Sequence, residues 1–126
     1  MTEEAWIFEQ VSKFYDLARE DILIGYHFRN IKDFEEHIPR IASFWDLQLR
    51  GETSRKVEAP FDIIKAHVPL GIKRGELGRW LVLFRRVLGE TTEYPELKDL
   101  WLERLVSFER SFTRFFGFQT GGHESF

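Results

Sequence analysis

Residues 34 to 50 read Phe-Glu-Glu-His-Ile-Pro-Arg-Ile-Ala-Ser-Phe-Trp-Asp-Leu-Gln-Leu-Arg, and the spacing of their apolar members is helical. His37, Ile41, Phe44, Trp45 and Gln48 fall on one face, because residues three and four apart stack along a helix. Asp33 is placed to cap the start, and Glu35 and Glu36 suit the positive end of the helix dipole. Pro39 is tolerable because it lies close to that end, and Gly51 is a stop. The segment is a helix in which a histidine heads an apolar, aromatic wall. Such a wall requires something flat to pack against.

The same period continues in both directions. Upstream, Ile7, Val11, Phe14 and Ala18 form one stripe of a helix over about residues 4 to 20. Asp21 to Phe28 is a shorter, weaker helical piece, interrupted by Gly25 and ended by the polar Arg29-Asn30 pair. Downstream, residues 51 to 62 are polar and rich in turn formers, so they read as a connection. A short helical turn from Phe61 to His67 follows and ends against Pro69. Residues 75 to 89 place Leu77, Trp80, Leu81, Phe84, Val87 and Leu88 on one broad face, with Gly89 closing the helix. After Thr92, a candidate cap, and Pro95, the last helix carries Leu97, Leu100, Trp101, Leu105, Phe108, Phe112, Phe115 and Phe116. Residues 118 to 126 are Gly-rich and read as a frayed tail. About five or six helices without a convincing strand make the fold class all-α.

At 126 residues the chain has room for one domain, spanning 1 to 126, and 43% apolar with 31% charged residues is a globular composition. Thirteen Phe, four Trp and three Tyr, with no Cys and one Met, mean that the interior is filled mainly with rings. The absence of cysteine excludes disulfides, thiolate metal sites and a Cys nucleophile, and leans weakly toward a cytoplasmic location. The acidic start Met-Thr-Glu-Glu is unlike a signal peptide, and no apolar run reaches the roughly 20 residues of a membrane span. A formal net charge of −3 argues against non-specific nucleic-acid binding, so neither nucleic acid nor membrane is an expected partner.

Familiar catalytic patterns are missing. No Ser sits in a Gly-x-Ser-x-Gly turn, no His-Glu-x-x-His exists, and no carboxylate stands three residues before any histidine as a helical di-iron site requires. The glycines of 71 to 78 match neither a phosphate-binding loop nor a dinucleotide fingerprint. Tyr15, His37, His67 and Trp80 remain as polar or aromatic residues embedded in apolar stripes. Each has an ordinary structural role open to it: a core tyrosine, a helix-start histidine in solvent, a cap or satisfied core histidine, and a packing tryptophan. Only their joint pattern is specific.

Three stretches carry a resemblance: His37-Ile-Pro-Arg-Ile-Ala-Ser-Phe44-Trp45, Lys65-Ala66-His67 and Arg79-Trp80-Leu-Val-Leu-Phe84, preceded by Phe14-Tyr15. Together they resemble the truncated haemoglobins, most closely group III, over roughly residues 8 to 123. The resemblance implies a globin-like, truncated two-over-two helical sandwich around haem b. It implies that His67 is the proximal iron ligand, with Ile64 beside it, and that Tyr15, His37 and Trp80 form the distal side, where phenol and indole donate hydrogen bonds to the gas ligand. His37 is in addition a candidate distal iron ligand. Phe28 would wedge against the porphyrin; Ile41, Phe44, Trp45, Leu77 and Phe84 would cover it. Arg40, with Lys73 or Arg74 as alternatives, would meet a haem propionate.

The function implied is reversible binding of O₂, with NO and CO as other diatomic ligands. Two other functions stay open: redox turnover on the same haem, as an NO dioxygenase or a peroxidase-like enzyme served by a separate reductase, and a haem-free globin-fold sensor or interaction domain. The sequence is compatible with a monomer or a weak homodimer. His27 and His123 read as surface residues.

Overall fold

The computed structural model describes residues 1–29, 31, 33–51 and 71–115. Among them are α1 (Glu3–Glu20), α2 (Gly25–Phe28), α3 (Phe34–Arg50), α4 (Arg74–Gly89) and α5 (Pro95–Phe115), and no strand. The short helix expected at 61 to 67, the connection after Gly51 and the tail at 118 to 126 lie outside the described residues.

Local chemistry sets most of the helix ends. The Thr2 hydroxyl accepts from Ala5 N at 3.0 Å at the start of α1, and the Asp33 carboxylate accepts from Glu36 N at 3.2 Å at the start of α3. Gly51 ends α3 in the left-handed region, at φ 62°, where its missing Cβ removes the strain. α4 ends at Gly89, as expected, with Glu90 in the cap position. One expected start differs. The last helix begins at Pro95, so the residue before it is Tyr94, at φ 50°, and not Thr92. Tyr94 accepts a helix-start bond from Lys98 N, and its hydroxyl donates to the Met1 carbonyl.

The helices form two pairs, α1 on α3 and α4 on α5, with α1 also packed on α4 and α3 on α5. This is the two-over-two sandwich expected from the resemblance. Between the pairs, Trp6, Ile7, Val11, Leu88, Trp101 and Leu105 are fully buried. Each large apolar side chain taken out of water contributes about 1.5–3 kcal/mol, so this layer dominates the stability. Trp6 also satisfies its indole N–H on Thr91 Oγ1 at 3.1 Å.

The turn from α1 into α2 is held by one buried carboxylate. Asp21 accepts from Leu23 N at 3.0 Å, from Ile24 N at 3.2 Å and from the Arg79 guanidinium of α4 at 2.7–2.8 Å. Gly25 follows because a Cβ there would come within 2.8 Å of the Arg19 carbonyl. The Arg79 hydrogen bond, with help from the two backbone N–H groups and against the cost of burial, holds the Asp21 carboxyl below its ordinary range. A depressed carboxylate pKa stabilises the fold above the unfolded-state value, near 3.8, and that contribution is lost as pH falls through the folded-state value. Asp21→Ala should therefore cost about 2–4 kcal/mol in urea unfolding at pH 7. The difference from the parent chain should shrink on the acid side of pH 4.

Candidate functional site

A cavity of about 380 Å³ opens among α1, α2, α3, α4 and α5. Its walls are aromatic because helix spacing delivers rings from all five helices. Phe14 and Tyr15 come from α1, Phe28 from α2, Phe44 and Trp45 from α3, Trp80 and Phe84 from α4, and Phe108 and Phe112 from α5. Edge-on and stacked contacts lock these rings together. Phe14 stacks on Phe84 at 4.6 Å and meets Phe28 at 6.2 Å and Trp80 at 6.1 Å, while Tyr15 meets Phe28 at 5.5 Å. Ile41 and Leu77 complete the apolar lining contributed by residues that the sequence singled out.

Inside this apolar wall sits a polar pair. Tyr15, with only 7% of its surface exposed, places its hydroxyl 3.0 Å from His37 Nε2, and the two rings cross at 80°. A buried phenol needs such a partner, since an unpaired hydroxyl in an apolar site costs roughly 1–3 kcal/mol. Burial pushes the Tyr15 phenol up from its ordinary value of 10.0, so the neutral form is strongly preferred. His37 reaches the pair from one turn inside α3, where Asp33 O accepts its backbone N–H at 3.0 Å.

A second polar group was missed by sequence reasoning. His27 on α2 and Glu76 on α4 also line the cavity, with side chains 9% and 11% exposed and His27 Nε2 3.0 Å from Glu76 Oε1. His27 is thus not the surface residue expected. No local signal reveals this pair, because the partners stand 49 residues apart and meet only in the fold. The cavity also takes in Val11, Ile24, Ile31, Ile72, Phe108 and Phe112, which sequence reading had left as ordinary helix, loop or core positions.

The remaining candidates are placed elsewhere. Arg40 is exposed and does not line the cavity; Lys73 and Arg74 are exposed as well. His67 and Ile64 lie outside the described residues. Among the described residues no three His, Cys, Asp or Glu side chains converge on one point to hold a bare metal ion. No described helix is long and apolar enough to cross a membrane.

Neither family models nor curated proteins match the sequence. Among solved structures, the crystal structure of a group III truncated hemoglobin from Campylobacter jejuni matches with a TM-score of 0.78 and 26% identity, covering 98% of this chain and 97% of that one. The chain has the truncated haemoglobin fold. Its likeness is to group III, in agreement with the stretches that carried the sequence resemblance.

The buried phenol yields a direct check. Because the Tyr15 pKa is raised, the neutral phenol stabilises the fold below the unfolded-state value near 10, and this contribution is lost as pH rises toward the folded-state value. In an ultraviolet titration, one of the three tyrosines should stay un-ionised until the chain unfolds in alkali. Tyr15→Phe should abolish that late-ionising component and leave the other tyrosines unchanged.

Proposed function

We propose that the cavity is a haem chamber and that the protein binds a diatomic gas, O₂ first, at the haem iron. The observation that carries this reading is the Tyr15–His37 pair, a buried phenol bonded to a half-buried imidazole in a cavity lined mainly by aromatic and aliphatic side chains. The residues fit the group. A porphyrin is a flat apolar disc, matched by ring faces and edges from Phe14, Phe28, Phe44, Trp45, Trp80 and Phe84. With no cluster of three metal-ligating side chains among the described residues, a metal suits this cavity as part of a prosthetic group that brings its own ring nitrogens.

Haem b, when bound, supplies the iron at which a gas ligand is held. His67 would hold that iron and Ile64 would help to bind the haem, while Arg40, which is exposed, would pair with a propionate. Tyr15 would offer its hydroxyl proton and Trp80 its indole N–H to a bound ligand, with the His37 Nε2–H tautomer donating to the Tyr15 oxygen and so leaving that proton free. The depressed acidity of Tyr15 keeps the proton on its oxygen, so it acts as a donor at every physiological pH. Phe28, Ile41 and Phe44 give the site an apolar lining, and in such surroundings a hydrogen bond is stronger than in solvent.

Absorption spectroscopy of the haem-supplemented chain tests the reading. A visible haem band is expected, and His67→Ala should lose it or shift it. A hydrogen bond to a charged acceptor contributes about 1.5–3 kcal/mol, so Tyr15→Phe should speed O₂ release by roughly ten- to a hundredfold. A colourless chain that refuses haem would leave the haem-free sensor reading in its place.

A further inference from the structure

The His27–Glu76 pair has no part in that reading and breaches the apolar wall at a second place. Glu76 carries three bonds. Its Oε1 accepts from Lys73 N at 2.8 Å and lies 3.0 Å from His27 Nε2, and its Oε2 accepts from the Tyr26 hydroxyl. Burial raises the Glu76 carboxyl, yet the bonds from Tyr26, His27 and Lys73 outweigh it and hold the group below its ordinary value. An ionised carboxylate only accepts, so the His27 ring nitrogen donates.

The Lys73 bond is an ordinary helix-start bond and would exist if α4 met nothing. The other two are different. They cross to α2 over 49 and 50 residues, and α2 needs them. Four residues are far too few for a helix to hold itself, and only Gly25 of the four is buried. Of the charged neighbours of α2, Asp21 pairs with Arg79, while Arg29, although exposed, folds its guanidinium back over Gly25. Immediately after His27 comes Phe28, whose ring meets the Tyr15 ring edge-on at 5.5 Å.

We propose that Glu76 and His27 are positioning residues for the Tyr15–His37 pair. By pinning α2 to the first turn of α4, they seat Phe28 against Tyr15 and keep the phenol oxygen within hydrogen-bond reach of His37. The proposal extends the haem reading, in which Tyr15 is the gas-stabilising donor, but its first test needs no haem.

His27→Leu removes the crossing bond and leaves the Lys73–Glu76 bond intact. In the haem-free chain, NMR should show the His37 ring nitrogen and the Tyr15 ring resonances shifted or broadened. His27→Gln, which restores an N–H donor, should recover them. Tyr26→Phe, at an exposed position, should give the same change in smaller measure and serves if His27→Leu fails to fold. Wild-type His37 and Tyr15 signals in His27→Leu or, failing that variant, in Tyr26→Phe would overturn the proposal, as would a perturbation that His27→Gln does not repair. In the haem-loaded chain, His27→Leu should raise O₂ release about threefold or more, and adding it to Tyr15→Phe should change nothing further. Full additivity of the two substitutions would contradict it. A chain that takes no haem defeats the function proposed above, while the NMR comparison still decides this one.

Discussion

The stack of Phe14 on Phe84, centroids 4.6 Å apart and planes at 26°, is the contact on which the rest of the structure turns. It joins α1 of one helix pair to α4 of the other. From it the remaining rings are ordered outward: Trp45 and Trp101 against Phe84, Phe28 and Trp80 against Phe14, and Tyr15 edge-on beside Phe14. The rings that border the cavity, Phe14, Phe28, Phe84, Trp45 and Trp80, are thus held by one another rather than free to turn into it.

Two polar couples interrupt that interior, and they are held by different logic. The Tyr15 hydroxyl finds its partner in His37 inside the apolar wall, so the buried phenol is fixed by the high cost of leaving it unpaired. His27 and Glu76 join segments that have little else in common, a four-residue helix and the first turn of α4. The Asp21–Arg79 bridge reinforces the same junction from the other side of Gly25. Together these two junctions add polar anchors to a corner whose apolar support is Ile24 and the contacts of Phe28 with Phe14 and Tyr15.

The helices were legible because their information is local. The stripe Ile7, Val11, Phe14, Ala18 and the wall His37, Ile41, Phe44, Trp45 announce which faces turn inward, and Asp33 and Gly51 announce where α3 begins and ends. Nine of the residues singled out for a site, Tyr15, Phe28, His37, Ile41, Phe44, Trp45, Leu77, Trp80 and Phe84, line one cavity, since inward-facing rings at helical spacing must converge. What escaped was set by distance in sequence or by competing backbone geometry. Glu76 reads as a helix-start residue and His27 as a solvent-facing one until the fold brings them together. Thr92 carries the chemistry of a cap, but Tyr94 at positive φ turns the chain first, so the helix starts a step later than its side chains suggest.

The account's central claim is that the ring-walled cavity takes up haem. Tryptophan fluorescence during a haem titration tests it most directly, because Trp45 and Trp80 line the cavity and the other two tryptophans, Trp6 and Trp101, are packed close behind in the core. The account predicts quenching that saturates at one haem per chain and is weakened when Trp45 and Trp80 are replaced by Phe. Fluorescence that stays unchanged, or that falls without saturating as haem is added, would contradict it.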